Sequence, residues 1–206
     1  MLDVDALSCQ RGDLCLFEHL SFSVHPGELV QIEGANGAGK TTLLRILAGL
    51  SQADSGSVRW QGERTSDNRL LFHDALLFLG HQPGLKAQLS AYENLAFYSQ
   101  CHGHQADVDA IEQALADVGL LGFEHVPAGQ LSAGQQRRVS LARLWLSDKP
   151  LWILDEPLTA IDKQGVKHLT ARFVAHVAAG GSIVMTTHQD LVLPQGEIKR
   201  IRLGAS

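Results

Sequence analysis

The chain has 206 residues, 45% of them apolar, and a formal net charge of -5. That length suits one domain with a modest subdomain. The acidic balance, without any long basic run, argues against nucleic acid as the main partner, because phosphate neutralisation needs clustered Lys and Arg. Cys9, Cys15 and Cys101 are too scattered for a metal site or a disulfide framework and read as reduced thiols of a cytosolic protein. No charged-then-apolar leader opens the chain, and no run approaches the roughly 20 apolar residues that span a bilayer. The expectation is a soluble protein whose membrane role, if any, passes through a partner.

Residues 1 to 33 read as strands. Leu20 to Val24 alternates at period two, Pro26-Gly27 turns the chain, and Leu29 to Ile32 reads as a buried strand. Lys40 to Leu50 is an apolar helix stopped near Gly49. Residues 54 to 57 read as a turn, followed by a short strand over Val58 to Trp60. A second buried strand covers Leu76 to Gly80. The character then changes over 85 to 130, which reads as a helical insert. Ser90 and Glu93 fit a capping box, and Val108, Ile111, Leu115 and Val118 put an amphipathic helix over 107 to 119. His102-Gly103-His104 is read as a solvated loop, since nothing beside it completes a metal set. The pair Arg137-Arg138 is read as a solvated helix face.

From Ser132 the pattern runs helix, strand, helix, strand. Leu151 to Leu154 is a buried strand. Val166, Leu169, Phe173 and Val177 mark one helix face, Gly180-Gly181 ends that helix, and Ser182 to Thr186 is the next strand. Glu197 to Leu203 is a candidate edge strand. The alternation implies an α/β fold: a mainly parallel sheet carrying helices, with an antiparallel β subdomain at the N-terminus and the helical insert. The expected organisation is one domain over 1 to 206, with 1 to 84 and 131 to 206 as core and 85 to 130 as insert.

Three stretches carry chemistry. Gly34-Ala35-Asn36-Gly37-Ala38-Gly39-Lys40-Thr41, followed by Thr42, matches the phosphate-loop pattern between a predicted strand and a predicted helix. Glycines let the loop amides face phosphate oxygens, and the helix start adds partial positive charge. Lys40 offers an ammonium to the β- and γ-phosphates and Thr41 a hydroxyl to Mg²⁺; each such charge-assisted bond contributes about 1.5–3 kcal/mol. Asp155 and Glu156 close an apolar strand at its C-terminal end, where ligands bind in such sheets. Asp155 is suited to Mg²⁺ and Glu156 to polarising a water as general base, worth about 10²–10⁴-fold. Gln82 and His188 follow two other strands. Gln82 is suited to Mg²⁺ and the water, and His188 to the γ-phosphate or the water. Finally, Leu131-Ser132-Ala133-Gly134-Gln135 opens a helix, with Ser132 and Gln135 spaced for a capping box and Gly134 allowing close backbone approach.

In this order, these motifs resemble the ATP-binding subunits of ABC transporters along the whole chain. The resemblance makes residues 34 to 41 the Walker A loop, Gln82 the Q-loop, 131 to 135 the signature, and 151 to 155 the Walker B strand. Glu156 is then the base, 159 to 162 with Asp162 the D-loop, and His188 the switch histidine. It implies a head-to-tail homodimer binding two ATP with Mg²⁺. Each ATP would lie between one subunit's phosphate loop and its partner's Ser132, Ala133, Gly134 and Gln135. It also implies permease subunits in the membrane and a peripheral position on the cytoplasmic face of the inner membrane. Two departures stand out. Ala133 replaces a more frequent glycine, and Gln10-Arg11-Gly12 occupies the place of an adenine-stacking aromatic, where the Arg11 plane is suited to stack instead.

Residues 80 to 86 and 89 to 95 look more narrowly like the haem exporter ATPases of bacterial cytochrome c maturation. There the homodimer docks on haem-handling membrane subunits, so haem would be met only indirectly. Two other readings stay open: the ATPase of another small-substrate exporter, and a soluble ABC-type ATPase acting on ribosomes or DNA.

Overall fold

A computed structural model describes residues 1–103, 107–189 and 197–204. They divide into two compact units: 1–78 with 149–157 and 174–206, and 79–148 with 158–173. His104 of the expected solvated loop lies outside the described residues.

The first unit holds two sheets. Strands β1 (Leu2–Arg11), β2 (Leu14–Val24), β4 (Ser55–Trp60) and β5 (Glu63–Arg64) form an antiparallel sheet in the order β2-β1-β4-β5. Strands β3 (Leu29–Glu33), β6 (Leu76–Leu79), β7 (Leu151–Leu154), β8 (Ser182–Thr186) and β9 (Ile198–Arg202) form the second sheet, in the order β6-β7-β8-β3-β9. The pairs β3–β8, β3–β9 and β7–β8 are parallel. All residues of β7 and β8 are buried, as parallel strands covered on both faces must be. The expected edge strand is β9, beside β3.

Helix α1 (Lys40–Leu47) buries Leu43, Leu44, Ile46 and Leu47 in one core with Leu2, Val24 and Val30, and with Ile153 and Val184 of the parallel sheet. It ends about a turn earlier than its apolar run predicts, and helix α2 (Arg69–Asp74) and β5 are elements the sequence reading lacks. The predicted turn at 54 to 57 is corrected in part: β4 already begins at Ser55. Pairing of Ser57 with Asp5 and Ser55 with Ser8 pulls turn-prone residues into the ladder, with a register shift between them. Gly56 makes this possible at φ 86, where a Cβ would sit 2.5 Å from the carbonyl oxygens of Asp5 and Ala6.

The second unit is helical. Helices α3 (Ala91–Cys101), α4 (Val108–Asp117) and α5 (Ala133–Leu146) share an apolar core of Leu95, Ile111, Leu115, Leu131 and Val139. The Ser90–Glu93 capping box is present: Glu93 N donates to Ser90 Oγ at 3.1 Å and Ser90 N to Glu93 Oε2 at 2.7 Å. Helix α6 (Lys163–Ala178) begins in this unit, with Asp162 Oδ1 accepting from Gly165 N at 2.7 Å.

Gly56→Ala forces a side chain onto two carbonyl oxygens in a left-handed conformation. Its melting temperature should fall by several degrees, corresponding to about 2 kcal/mol or more, whereas Gly62→Ala, with nothing within 4 Å of its Cβ, should fall by less. Calorimetry on the pair checks this.

Candidate active site

The phosphate loop and the strand-end carboxylates meet in the first unit. A pocket of ≈ 410 Å³ is lined by Asn36, Gly37, Gly39, Lys40, Thr41 and Thr42 from the loop and α1, by Asp155, Glu156 and His188, and by Arg11 and Leu16. A larger groove of ≈ 950 Å³ in the same unit shares Arg11 but holds none of the phosphate loop. The chemistry therefore belongs to the smaller pocket.

Helix α1 starts at Gly39, φ 91, with no side-chain hydrogen bond capping it. Its first amides thus face the pocket wall formed by Lys40, Thr41 and Thr42, an arrangement that favours an anion. A Cβ on Gly39 would meet Leu16 Cβ at 2.9 Å, so the loop's close approach to β2 needs glycine there. Lys40 Nζ donates to Gly34 O at 2.8 Å and Ala35 O at 3.1 Å, and Ala38 N to Ala35 O at 3.1 Å. The loop thereby folds around its own ammonium.

Behind the loop sits Asp155, 2% exposed. Thr41 Oγ1 donates to its Oδ2 at 2.9 Å and Thr186 Oγ1 to its Oδ1 at 2.8 Å. Thr41 and Asp155 form an oxygen-only pair of the type that holds part of a hard cation's shell, while phosphate and water complete it. The residues present fit Mg²⁺ in that role, and no group of three or more His, Cys, Asp or Glu suited to a metal occurs among the described residues. Glu156 takes a left-handed φ of 50, a conformation costing a non-glycine residue about 1–2 kcal/mol. Its amide donates to Thr186 Oγ1 at 2.9 Å, and its Oε1 lies 3.4 Å from His188 Nε2. A strained carboxylate beside an imidazole, at the mouth of a phosphate loop, is equipped to polarise a water.

Thr186 escaped the sequence reading, which treated it as the end of an apolar strand. The available signal was a threonine closing the apolar run Ile183 to Met185, two residues before His188. Arg11 is exposed, with Nη1 donating to Gln10 O at 3.2 Å, and lies in the pocket lining.

Gln82, Ser132, Ala133, Gly134, Gln135 and Asp162 belong to the second unit. Gln82 is exposed after β6. Ser132 caps α5: Gln135 N donates to Ser132 Oγ at 3.2 Å and Ser132 N to Gln135 Oε1 at 2.9 Å. A Cβ on Gly134 would meet only Ala160 O, at 3.6 Å. Packing within the unit therefore tolerates a side chain there. The solvated-face reading of Arg137-Arg138 is overturned for Arg137. It is 7% exposed, and Nη1 donates to Gly80 O at 2.6 Å. With Ser140 Oγ donating to Pro83 O at 3.0 Å and Arg143 Nη2 to Gly84 O at 3.0 Å, one face of α5 grips the loop that carries Gln82. Burial lowers the pKa of Arg143 below its ordinary value, and that of Tyr98, whose ring lies 5.2 Å beneath it, is raised by burial.

The family model for ABC transporters matches residues 17–159. The chain belongs to the ABC transporter ATP-binding family. As an ABC cassette it is 59% identical over 203 residues to the "Cytochrome c biogenesis ATP-binding export protein CcmA" of Yersinia pestis bv. Antiqua, covering 98% of this chain and 93% of the relative. It is 58% identical over 204 residues to the protein of the same name from Vibrio cholerae, covering 99% of each. Among solved structures, the cassette superposes on the ATP-binding subunit of an ABC transporter with TM-score 0.82 and 26% identity, over 91% of this chain and 79% of that one. A dimeric ATP-binding cassette bound to ADP and Pi shares the fold with TM-score 0.81 at 23% identity, over 92% and 88%. No helix of the described residues is long and apolar enough to cross a membrane.

The cassette's helical unit should respond unequally to its two neighbouring arginines. Arg137→Met strands the Gly80 carbonyl and should lower unfolding free energy by about 1–3 kcal/mol. Arg138→Met, which loses a part-exposed bond to Gly119 O, should stay within about 0.5 kcal/mol. Urea titrations followed by circular dichroism compare them.

Proposed function

We propose that this cassette is the ATP-hydrolysing subunit of an ABC-type export complex of cytochrome c biogenesis, acting on haem-handling membrane subunits. The observation that carries the reading is full-length identity of 58–59% to relatives bearing that name, in a chain whose pocket brings the phosphate loop together with Asp155, Glu156 and His188. The whole chain works as one ATP-binding domain. It acts as a homodimer, with permease subunits, at the cytoplasmic face of the inner membrane.

In the mechanism, residues 34 to 42 bind the triphosphate. Loop amides and the α1 start face its oxygens, and Lys40 exchanges its carbonyl partners at Gly34 and Ala35 for the β- and γ-phosphates. Bound Mg²⁺ would neutralise charge on those phosphates, and Thr41 and Asp155 would hold it. Asp155 keeps the Thr41 hydroxyl oriented. Glu156 accepts a proton from the attacking water, and His188, 3.4 Å from its Oε1, orients carboxylate and water. Arg11 stacks on the base. From the second subunit, Ser132, Ala133, Gly134 and Gln135 meet the γ-phosphate. The backbone left bare at Gly134, where internal packing would accept a side chain, supports that reading. Asp162, which caps α6 in its own subunit, contributes the D-loop contact across the dimer.

Glu156→Gln should bind ATP as the parent does, lose at least about 100-fold in turnover and elute as a dimer with ATP in size-exclusion chromatography. A monomer with parental turnover would remove Glu156 as base. Ser132→Trp should hydrolyse no ATP while still binding it; full activity in that variant contradicts a site shared between subunits.

A further inference from the structure

We propose that Thr186 is a positioning residue for hydrolysis, a side chain that sets Glu156 in register with Asp155. The proposal rests on the reading of Glu156 as base and adds a residue to it. Thr186 is 0% exposed and ends β8, with Ile32 of β3 as its pairing partner on one side. Its hydroxyl has one hydrogen and two lone pairs. The hydrogen goes to Asp155 Oδ1 at 2.8 Å, since the Glu156 amide has no lone pair to accept it. That leaves the oxygen to accept from Glu156 N at 2.9 Å. The directions of both bonds are therefore forced.

The consequence falls on Glu156. Its left-handed backbone, φ 50, is one that non-glycine residues adopt only rarely. The Thr186 oxygen holds the peptide between Asp155 and Glu156 in one plane, from which the Glu156 side chain departs toward His188. Freed from that bond, the peptide can relax toward a right-handed or extended conformation and swing the carboxylate away. The neighbouring threonine shows the contrast. Thr187 Oγ1 accepts from Gln189 N at 3.0 Å, within its own turn, whereas Thr186 reaches across to another strand's end. Strand propensity alone would be met equally well by valine.

The test uses the full chain carrying Thr186→Val, Thr186→Ser or Glu156→Gln, with turnover, KM and affinity for a fluorescent ATP analogue measured for each. Valine keeps the shape and removes both bonds; serine keeps both. Thr186→Val should retain analogue affinity within about threefold and lose about 10- to 100-fold in kcat, as changes to groups that orient a site's ligands do. Thr186→Ser should recover to within about threefold of the parent. Parental kcat in Thr186→Val beside an inactive Glu156→Gln overturns the positioning role while leaving the base in place. So does a serine variant as impaired as the valine one, or an affinity loss as large as the loss in kcat. A fully active Glu156→Gln removes the base itself, and the proposal with it. Should Thr186→Val not fold, Thr186→Cys, a poor hydrogen-bonding group of similar size, replaces it with the same outcomes.

Discussion

A buried carboxylate is expensive unless its oxygens are engaged, and Asp155 meets that demand with hydroxyls from two other elements. Thr41 comes from the first turn of α1 and Thr186 from the last residue of β8, while Asp155 itself follows β7. One side chain thus ties the phosphate loop to two neighbouring strands of the parallel sheet, β7 and β8. The apolar core beneath, with Leu43 and Leu44 packed with Ile153 and Val184, brings the elements close. It does not fix them to a few tenths of an ångström; directional bonds do that. Remove the carboxylate and the loop, the strand end and the Glu156 peptide each lose their common reference.

Much of this was legible in the sequence where local physics decides. The boundaries of β8 and the apolar body of β7 follow from unbroken buried runs. Both capping boxes, at Ser90–Glu93 and Ser132–Gln135, follow from spacing alone. What was missed depends on partners far along the chain. Ser55 and Ser57 look like a turn, and only pairing with β1 makes them strand. Helix α2 buries Phe72 alone, too little periodicity over six residues to announce itself. The sequence marks Thr186 as a strand end, but its two bonds run to residues 30 and 31 positions away.

The Arg137 error has a more general cause. Functional loops expose backbone carbonyls that secondary structure does not satisfy. Between Gly80 and Ser90 those groups are met by side chains. Arg137, Ser140 and Arg143 engage the carbonyls of Gly80, Pro83 and Gly84. Asn94, 3% exposed, accepts from Lys86 N and donates to the oxygens of Lys86, Leu89 and Ser90. A loop clamped from α3 and α5 can hold Gln82 at its surface with a defined backbone. An arginine at helical spacing among buried neighbours is as consistent with this service as with solvent, and sequence periodicity cannot separate the two.

The two functional helix starts differ in a way that orders their use. Helix α1 begins at a glycine without any side-chain cap, so its first turn is open to phosphate and supported by the Lys40 charge. Helix α5 begins inside a closed capping box, in which the Ser132 and Gln135 amides are already engaged. Only the Ala133 and Gly134 amides and the Ser132 hydroxyl hydrogen remain to meet a ligand, with no cation beside them in the pentapeptide. Bonds from either helix start to a phosphate oxyanion are charge-assisted, but only the loop adds a cation, Lys40, and an uncapped first turn. In the proposed dimer a triphosphate would therefore settle first in its own subunit's loop. The partner's α5 would then gain only from a nucleotide already held in place, which would make closure depend on prior ATP binding rather than compete with it.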